Sequence, residues 1–104
     1  MLLVVLCNCS PSESESLARS LVEERLAACV NVIPGIKSFY RWQGELCADE
    51  EHTLLIKTTS ERFEEMKIRL QTLHSYDVPE IVALESVDVL DSYLSWVNEQ
   101  TERP

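Results

Sequence analysis

Glycine and histidine are scarce in this chain. Its 104 residues include only Gly35 and Gly44, and only His52 and His74. Because phosphate-binding loops need several closely spaced glycines, neither common loop of this kind is present. The motifs H-E-x-x-H and G-x-S-x-G are also missing. The sequence offers no set of nucleophile, base and orienting group, so we expect a protein that is not an enzyme.

Positive charge is scarce as well. The chain has 9 lysines and arginines against 18 aspartates and glutamates, which gives a formal net charge of -9. Nucleic acids and anionic membrane surfaces are bound by basic surfaces, so this composition argues against both as partners. An acidic protein attracts cations, although net charge alone indicates this only weakly.

Long apolar runs and closely paired cysteines are missing too. The apolar run from Met1 to Cys7 is too short to span a membrane and lacks the basic start of a signal peptide. We interpret it as a strand of a cytoplasmic protein, in which the thiols stay reduced. Cys7, Cys9, Cys29 and Cys47 form no C-x-x-C pair, so we do not expect a structural zinc site.

Apolar periodicity predicts a single domain over residues 1–104, with the order β-α-β-β-α-β and a further C-terminal helix. Capping-box residues, prolines and turn residues set the predicted boundaries. The predicted elements are a strand over Leu2–Cys7, a helix from Ser10 or Ser12 to about Ala28, a strand from Val30 to Trp42 with a bend at Pro34-Gly35, a turn at Gln43-Gly44, a strand ending at Thr58, a helix from Thr59 or Ser60 to Leu73, a strand from Pro79 to Leu84, and a helix from about Leu90. This order is typical of the α+β class and of the ferredoxin-like split β-α-β sandwich.

Several predicted strands carry apolar residues on both faces. Two helices cover only one face of such a sheet. They leave uncovered either Leu2, Val4 and Leu6 or the apolar residues that alternate with these three and face the other way. An exposed apolar face of this size promotes association, so we expect a homo-oligomer packed sheet face to sheet face. The alternative is that these short runs are simply strand-rich core.

Three aromatic residues also suggest an assembly. Tyr40 and Trp42 lie close to the predicted hairpin tip and indicate oligomer contacts. Trp96, on the last helix, is predicted to lie in the same interface or in the core.

A few polar residues could form a site, and two of them have alternative interpretations. Cys7 ends the first strand and is either a small buried hydrophobe or a thiol ligand, and with Cys9 it forms a C-x-C pair of the kind that can bind soft metals. His74 either satisfies the last carbonyls of the second helix or binds a metal. Glu80 begins a strand, where a charge suits a cleft or a partner. Tyr76 is an amphipathic wall whose hydroxyl needs an acceptor.

The other two cysteines each have a single interpretation. Cys29 falls on the core-facing stripe of the first predicted helix and is expected to pack there. Cys47 lies near the hairpin and has no evident role.

Beyond these readings, the chain resembles a known family over nearly its whole length. The segments that carry the resemblance are Leu26–Asn31, Ile33-Pro34-Gly35, Tyr40-Arg41-Trp42, Leu54–Thr58, His74–Glu80, Ile81–Leu84 and Tyr93-Leu94-x-Trp96. In order and spacing they resemble the CutA family, the divalent-cation tolerance proteins. The resemblance implies a ferredoxin-like fold, a tight homotrimer similar to the PII signalling proteins, and a role in the response to metal ions.

The resemblance also implies a low-affinity copper site at Cys7 and His74, with Glu80 as a neighbouring ligand. This chain departs from the family pattern at Leu73, where some relatives have a second histidine. It departs again at Glu85 and Val89, which replace the usual proline and glycine. The alternative function is a PII-like regulatory or scaffolding trimer that binds a small effector or an unidentified protein partner.

Overall fold

A four-stranded antiparallel sheet and three helices make up the computed structural model, which describes residues 1–103. The elements are β1 (Leu2–Cys9), α1 (Ser14–Glu23), β2 (Cys29–Trp42), β3 (Glu45–Thr59), α2 (Ser60–Leu73), β4 (Val82–Glu85) and α3 (Asp91–Gln100). The strand order is β2-β3-β1-β4, so each β-α-β unit is split by a strand of the other. The predicted α+β class and element order are therefore confirmed.

Helices α1 and α2 cover one face of this sheet. Alternate residues of β1 point toward them, because successive side chains of a strand face opposite ways. The buried residues of this helix-covered core are Leu3, Val5, Cys7, Cys9, Leu17, Leu21, Leu26, Ala27, Leu54, Ile56, Met66 and Leu70. Cys7 thus lies in an apolar core, on the face opposite to that of Leu6 and Asn8.

The first helix ends five residues earlier than predicted. Arg25 takes a left-handed backbone with φ 59°. The amide of Arg25 donates to the carbonyl of Val22, and the amide of Leu26 donates to the carbonyl of Leu21. This pair of bonds is a Schellman motif, in which glycine usually occupies the left-handed position. Because arginine takes that position here, the sequence carries no recognisable stop signal.

The early end of α1 also changes the position of one cysteine relative to the prediction. Cys29 is the first residue of β2 and is only partly buried, so its predicted place on the core-facing stripe of the first helix is wrong.

The bend and the turn in the hairpin are confirmed. The register of β2 against β3 shifts between Ile33 and Ile36, and Gly35 has φ +73°. Gln43 and Gly44 both have positive φ, as a tight two-residue hairpin turn requires. The strands that flank this turn form a long hairpin arm whose aromatic side chains are largely exposed.

The second face of the sheet is only partly covered. Helix α3 packs over one end of it, where Leu2, Ala28 and Val97 form a smaller buried cluster. The rest stays open: Leu6 faces the same way as its pairing partners Leu55 and Val82, and Val82 is 45% exposed. We call the apolar residues beyond α3 the open sheet face; they are Leu6, Ile33, Leu55, Val82 and Leu84.

Other boundaries also differ from the prediction. Helix α1 begins at Ser14 and not at Ser10 or Ser12, because residues 11–13 form a turn. Strand β1 runs on to Cys9, so Cys7 does not end it and Cys9 does not lie in a turn. Strand β4 begins at Val82 and not at Pro79, because its pairing with β1 covers only four residues. Within residues 1–103, no helix is both long enough and apolar enough to cross a membrane.

Candidate functional site

A cleft of about 700 Å³ lies between the hairpin arm and the loop that follows α2. We call it the hairpin cleft. Its lining residues are Asn8, Ser38, Phe39, Tyr40, Trp42, Asp49, Glu51, Tyr76, Asp77, Val78 and Glu80. Four of these are carboxylates and four are aromatic, and none is lysine, arginine or histidine.

Two tyrosine hydroxyls donate to carboxylates of the cleft. The Tyr76 hydroxyl donates to Glu51 at 2.6 Å, and the Tyr40 hydroxyl donates to Asp49. Burial and the bond to Glu51 raise the pKa of Tyr76, while the bond to Asp49 raises the pKa of Tyr40 to about 12. Both phenols therefore stay protonated and keep donating at neutral pH. Glu51 is buried.

The cysteines at the end of β1 are shielded from solvent. The side chains of Cys7 and Cys9 are fully buried. Burial raises the pKa of the Cys7 thiol to about 12, with further contributions from Cys9 and from the charge of Glu80. Burial, followed by the charges of Glu13 and Glu51, raises the pKa of the Cys9 thiol to about 11. Both thiols are therefore protonated at neutral pH and are poor nucleophiles.

His74 uses both of its ring nitrogens. Its Nε2 lies 2.9 Å from the carbonyl oxygen of Asn8, and its Nδ1 accepts from the amide of Tyr76 at 3.1 Å. This bond pattern assigns the neutral tautomer with the proton on Nε2. The imidazole also packs against the Tyr76 ring, with ring centroids 4.6 Å apart. His74 thereby fixes the loop after α2 to the end of β1, beside Cys7.

Cys7, His74 and Glu80 approach the same end of β1 from different sides. Cys7 lies in the helix-covered core, His74 is buried above the neighbouring carbonyl, and Glu80 is exposed in the hairpin cleft. Across the described part of the chain, no three His, Cys, Asp or Glu side chains are grouped so that they could hold a metal ion. The copper site predicted at these residues stays a prediction.

The other histidine has a structural role that the sequence did not suggest. The Ser14 hydroxyl lies 2.8 Å from His52 Nδ1 and 3.2 Å from the carbonyl oxygen of Pro11. Ser14 is 1% exposed, and its contact with His52 fastens the start of α1 to β3.

Glu13 is a second residue that sequence reasoning missed. Its carboxylate accepts from the backbone amide and the hydroxyl of Ser10, and from the same two groups of Ser75. The bonds from Ser10 close the turn before α1. The predicted capping box is not formed, because α1 begins only at Ser14 and its N-cap has no side-chain hydrogen bond. The bonds from Ser75 join α1 to the loop that carries His74 and Glu80. Burial raises the pKa of Glu13, but the hydrogen bonds from Ser75 and Ser10 outweigh it and lower the pKa overall.

We expect Glu13→Gln to lower the free energy of unfolding by about 1–2 kcal/mol at pH 7, because charge-assisted hydrogen bonds are lost. The folded-state pKa is depressed, so the carboxylate stabilises the fold above its ordinary pKa. That contribution is lost as the pH falls through the folded-state value. Urea unfolding at pH 7 and at pH 3 measures both effects. Glu15→Gln, an exposed change on the same turn, is the matched control, and an equal loss from Glu13→Gln at both pH values would contradict the prediction.

Comparison with known proteins decides the family. The sequence model of the CutA1 divalent ion tolerance protein family matches residues 3–100. This chain belongs to the CutA family. It is 53% identical over 93 residues to the divalent-cation tolerance protein CutA of Thermus thermophilus. This alignment covers 88% of this chain and 90% of the relative.

Solved structures of CutA proteins have the same fold. A divalent cation tolerance protein from Thermus thermophilus superposes with a TM-score of 0.93 at 50% identity, over 98% of this chain and 100% of the other. The PII-like protein CutA from Nostoc superposes with a TM-score of 0.91 at 38% identity, over 98% of each chain. The resemblance to the CutA family stated from the sequence motifs is therefore confirmed.

Proposed function

We propose that this CutA chain is a cytoplasmic, non-catalytic homotrimer that binds copper with modest affinity and acts in the cellular response to metal ions. The observation that carries the proposal is the bond from the His74 ring to the carbonyl of Asn8, the residue next to Cys7. It holds an imidazole beside a thiol at one strand end, with Glu80 close enough for its charge to raise the pKa of that thiol.

The donor types fit copper better than calcium or magnesium, because thiol and imidazole are softer ligands than oxygen. Two features account for a modest affinity. Copper binding requires Cys7 to lose its proton, and it requires one of the two hydrogen bonds of the His74 ring to break. Because the chain supplies so few ligands, water or a neighbouring subunit completes the set.

The open sheet face supports the trimer. Its apolar side chains lie on the face that two helices leave bare, and α3 covers only one end of it. Packing this face against another copy removes it from water, which stabilises the assembly in proportion to the apolar area buried. The exposed Tyr40, Trp42 and Trp96 side chains add aromatic surface that suits an interface.

Copper titration tests the proposed site. We expect about one copper ion per chain when Cu(I) is titrated anaerobically against a chromogenic competing chelator. Cys7→Ser and His74→Ala should each lose most of this binding while the sedimentation of the protein is unchanged. Cys47→Ser, which removes a half-buried thiol of the hairpin arm, is the control and should bind like the parent. If Cys7→Ser and His74→Ala both bind like the parent, the copper site is not here.

The hairpin cleft favours a second candidate function. A PII-like regulatory or scaffolding trimer needs a pocket for a small effector or a surface for a protein partner, and a volume of about 700 Å³ is the size of a small-molecule site. A scaffold of this kind would show no stoichiometric copper site in the same titration.

A further inference from the structure

The hairpin cleft has a charge and a surface that specify a class of ligand. We propose that it binds an organic cation, with an ammonium or guanidinium head on a short apolar body. The inference does not depend on copper binding at Cys7 and His74. It names the ligand class for the second candidate function, the PII-like trimer.

The first observation is negative charge without a basic counterpart. Asp49, Glu51, Asp77 and Glu80 line one cleft that has no basic residue in its lining. The ion pairs among residues 1–103 all lie elsewhere, on the helical side of the molecule. Two of the cleft carboxylates accept from neutral tyrosine hydroxyls, which leave their charge in place. The negative charge of the cleft can therefore attract a cation.

The second observation separates an organic cation from a metal ion. A hard metal ion needs several oxygen ligands within about 2.6 Å of one point. The cleft carboxylates do not provide this, because the described residues include no three acidic, cysteine or histidine side chains grouped for a metal. They lie around a cleft of about 700 Å³, so they suit a cation with an extended body and a diffuse charge.

The third observation is the aromatic wall. Trp42 and Tyr40 are 43% and 41% exposed and line the cleft, together with Phe39 and Tyr76. Aromatic faces attract ammonium and guanidinium groups through cation–π contacts, and they also bury the alkyl groups next to the charge. Carboxylates and aromatic rings that line one cleft are the two features that such cations require.

The cation can come from two sources. One is a free small-molecule amine. The other is a lysine or arginine side chain of a second copy of this chain, since Tyr40 and Trp42 are predicted oligomer contacts. Both sources present the same chemistry to the cleft, and the experiment must tell them apart.

The first arm titrates free cations. Trp42 fluorescence reports on the cleft once the other tryptophan is removed by Trp96→Phe. The cations titrated are tetramethylammonium and 1,4-diaminobutane, and sodium chloride at matched ionic strength is the control. We expect saturable changes in Trp42 fluorescence at millimolar concentrations of the organic cations and none with sodium. Asp77→Asn with Glu80→Gln should weaken binding at least fivefold, whereas Glu15→Gln, on α1, should leave it unchanged. Cys7→Ser should bind the amines like the parent, which separates this site from the copper site.

The second arm measures self-association of the same variants by sedimentation. If free amines do not bind but Asp77→Asn with Glu80→Gln weakens self-association while Glu15→Gln does not, the cation is a side chain of a second copy. If neither amine binding nor self-association responds to the cleft variants, the inference is overturned. The same holds if Glu15→Gln weakens binding as much as the cleft variants do, because the effect would then be net charge alone.

Discussion

Val82→Glu is expected to convert the proposed trimer into single chains. Val82 lies on β4 in the open sheet face, beside Leu6, and is 45% exposed in the single chain. A glutamate there can stay hydrated in a single chain, so the fold itself should tolerate it. In a face-to-face assembly the same carboxylate would be buried, and each further copy would add another unpaired charge at a cost of several kcal/mol.

Sedimentation at low micromolar concentration measures the effect. The parent should run as one species of about three chain masses, and Val82→Glu should run near one. Ile68→Glu is the matched control, because Ile68 is 59% exposed on α2, on the opposite side of the sheet, and its replacement should leave the assembly intact. The parent should also melt at a lower temperature on dilution, which Val82→Glu should not do. A parent that sediments as a monomer would refute the trimer.

Copper affinity is expected to rise about tenfold for each pH unit between pH 6 and pH 9. The Cys7 thiol has a pKa of about 12, so it is protonated throughout this range. Copper binds the thiolate, and each bound ion must therefore displace one proton from Cys7. Competition against a chelator of known pH dependence, repeated at each pH, gives the slope.

Two results bear on this slope. Cys7→Ser should abolish it along with most of the binding, whereas Cys47→Ser should keep it. A copper affinity that is independent of pH would show that no thiol proton is displaced, and Cys7 would then not be a ligand.

The sequence predicted the fold well because most of its signals are local. Alternating apolar residues, the Pro34-Gly35 bend and the Gln43-Gly44 turn all act within a few residues, and each is found where it was predicted. The end of α1 was missed because its left-handed position is held by Arg25, which carries no such local signal. That conformation is supported from a distance, since Arg62 Nε donates to the carbonyl of Arg25.

The site was harder to predict because its contacts join distant segments. Tyr76 was expected to need an acceptor for its hydroxyl, but only the fold shows that Glu51 provides it. The bond from the amide of Ser75 to Glu13 depends on the packing of α1 beside the loop after α2. The hairpin cleft itself arises where the arm and this loop face each other, which no single stretch of sequence encodes.

The central position of β1 has a consequence for the order in which the chain folds. Leu6 is synthesised well before its two pairing partners, Leu55 and Val82, which follow it by about 50 and 75 residues. Pairings between such distant segments form slowly, because a long loop must close before any contact offsets its entropy. The β2–β3 hairpin can form first from neighbouring residues, so β1, although it precedes the other strands of the sheet in the chain, is among the last to be enclosed. Until β4 emerges, one apolar edge of β1 has no partner in its own chain, and it is the segment that most needs protection during synthesis.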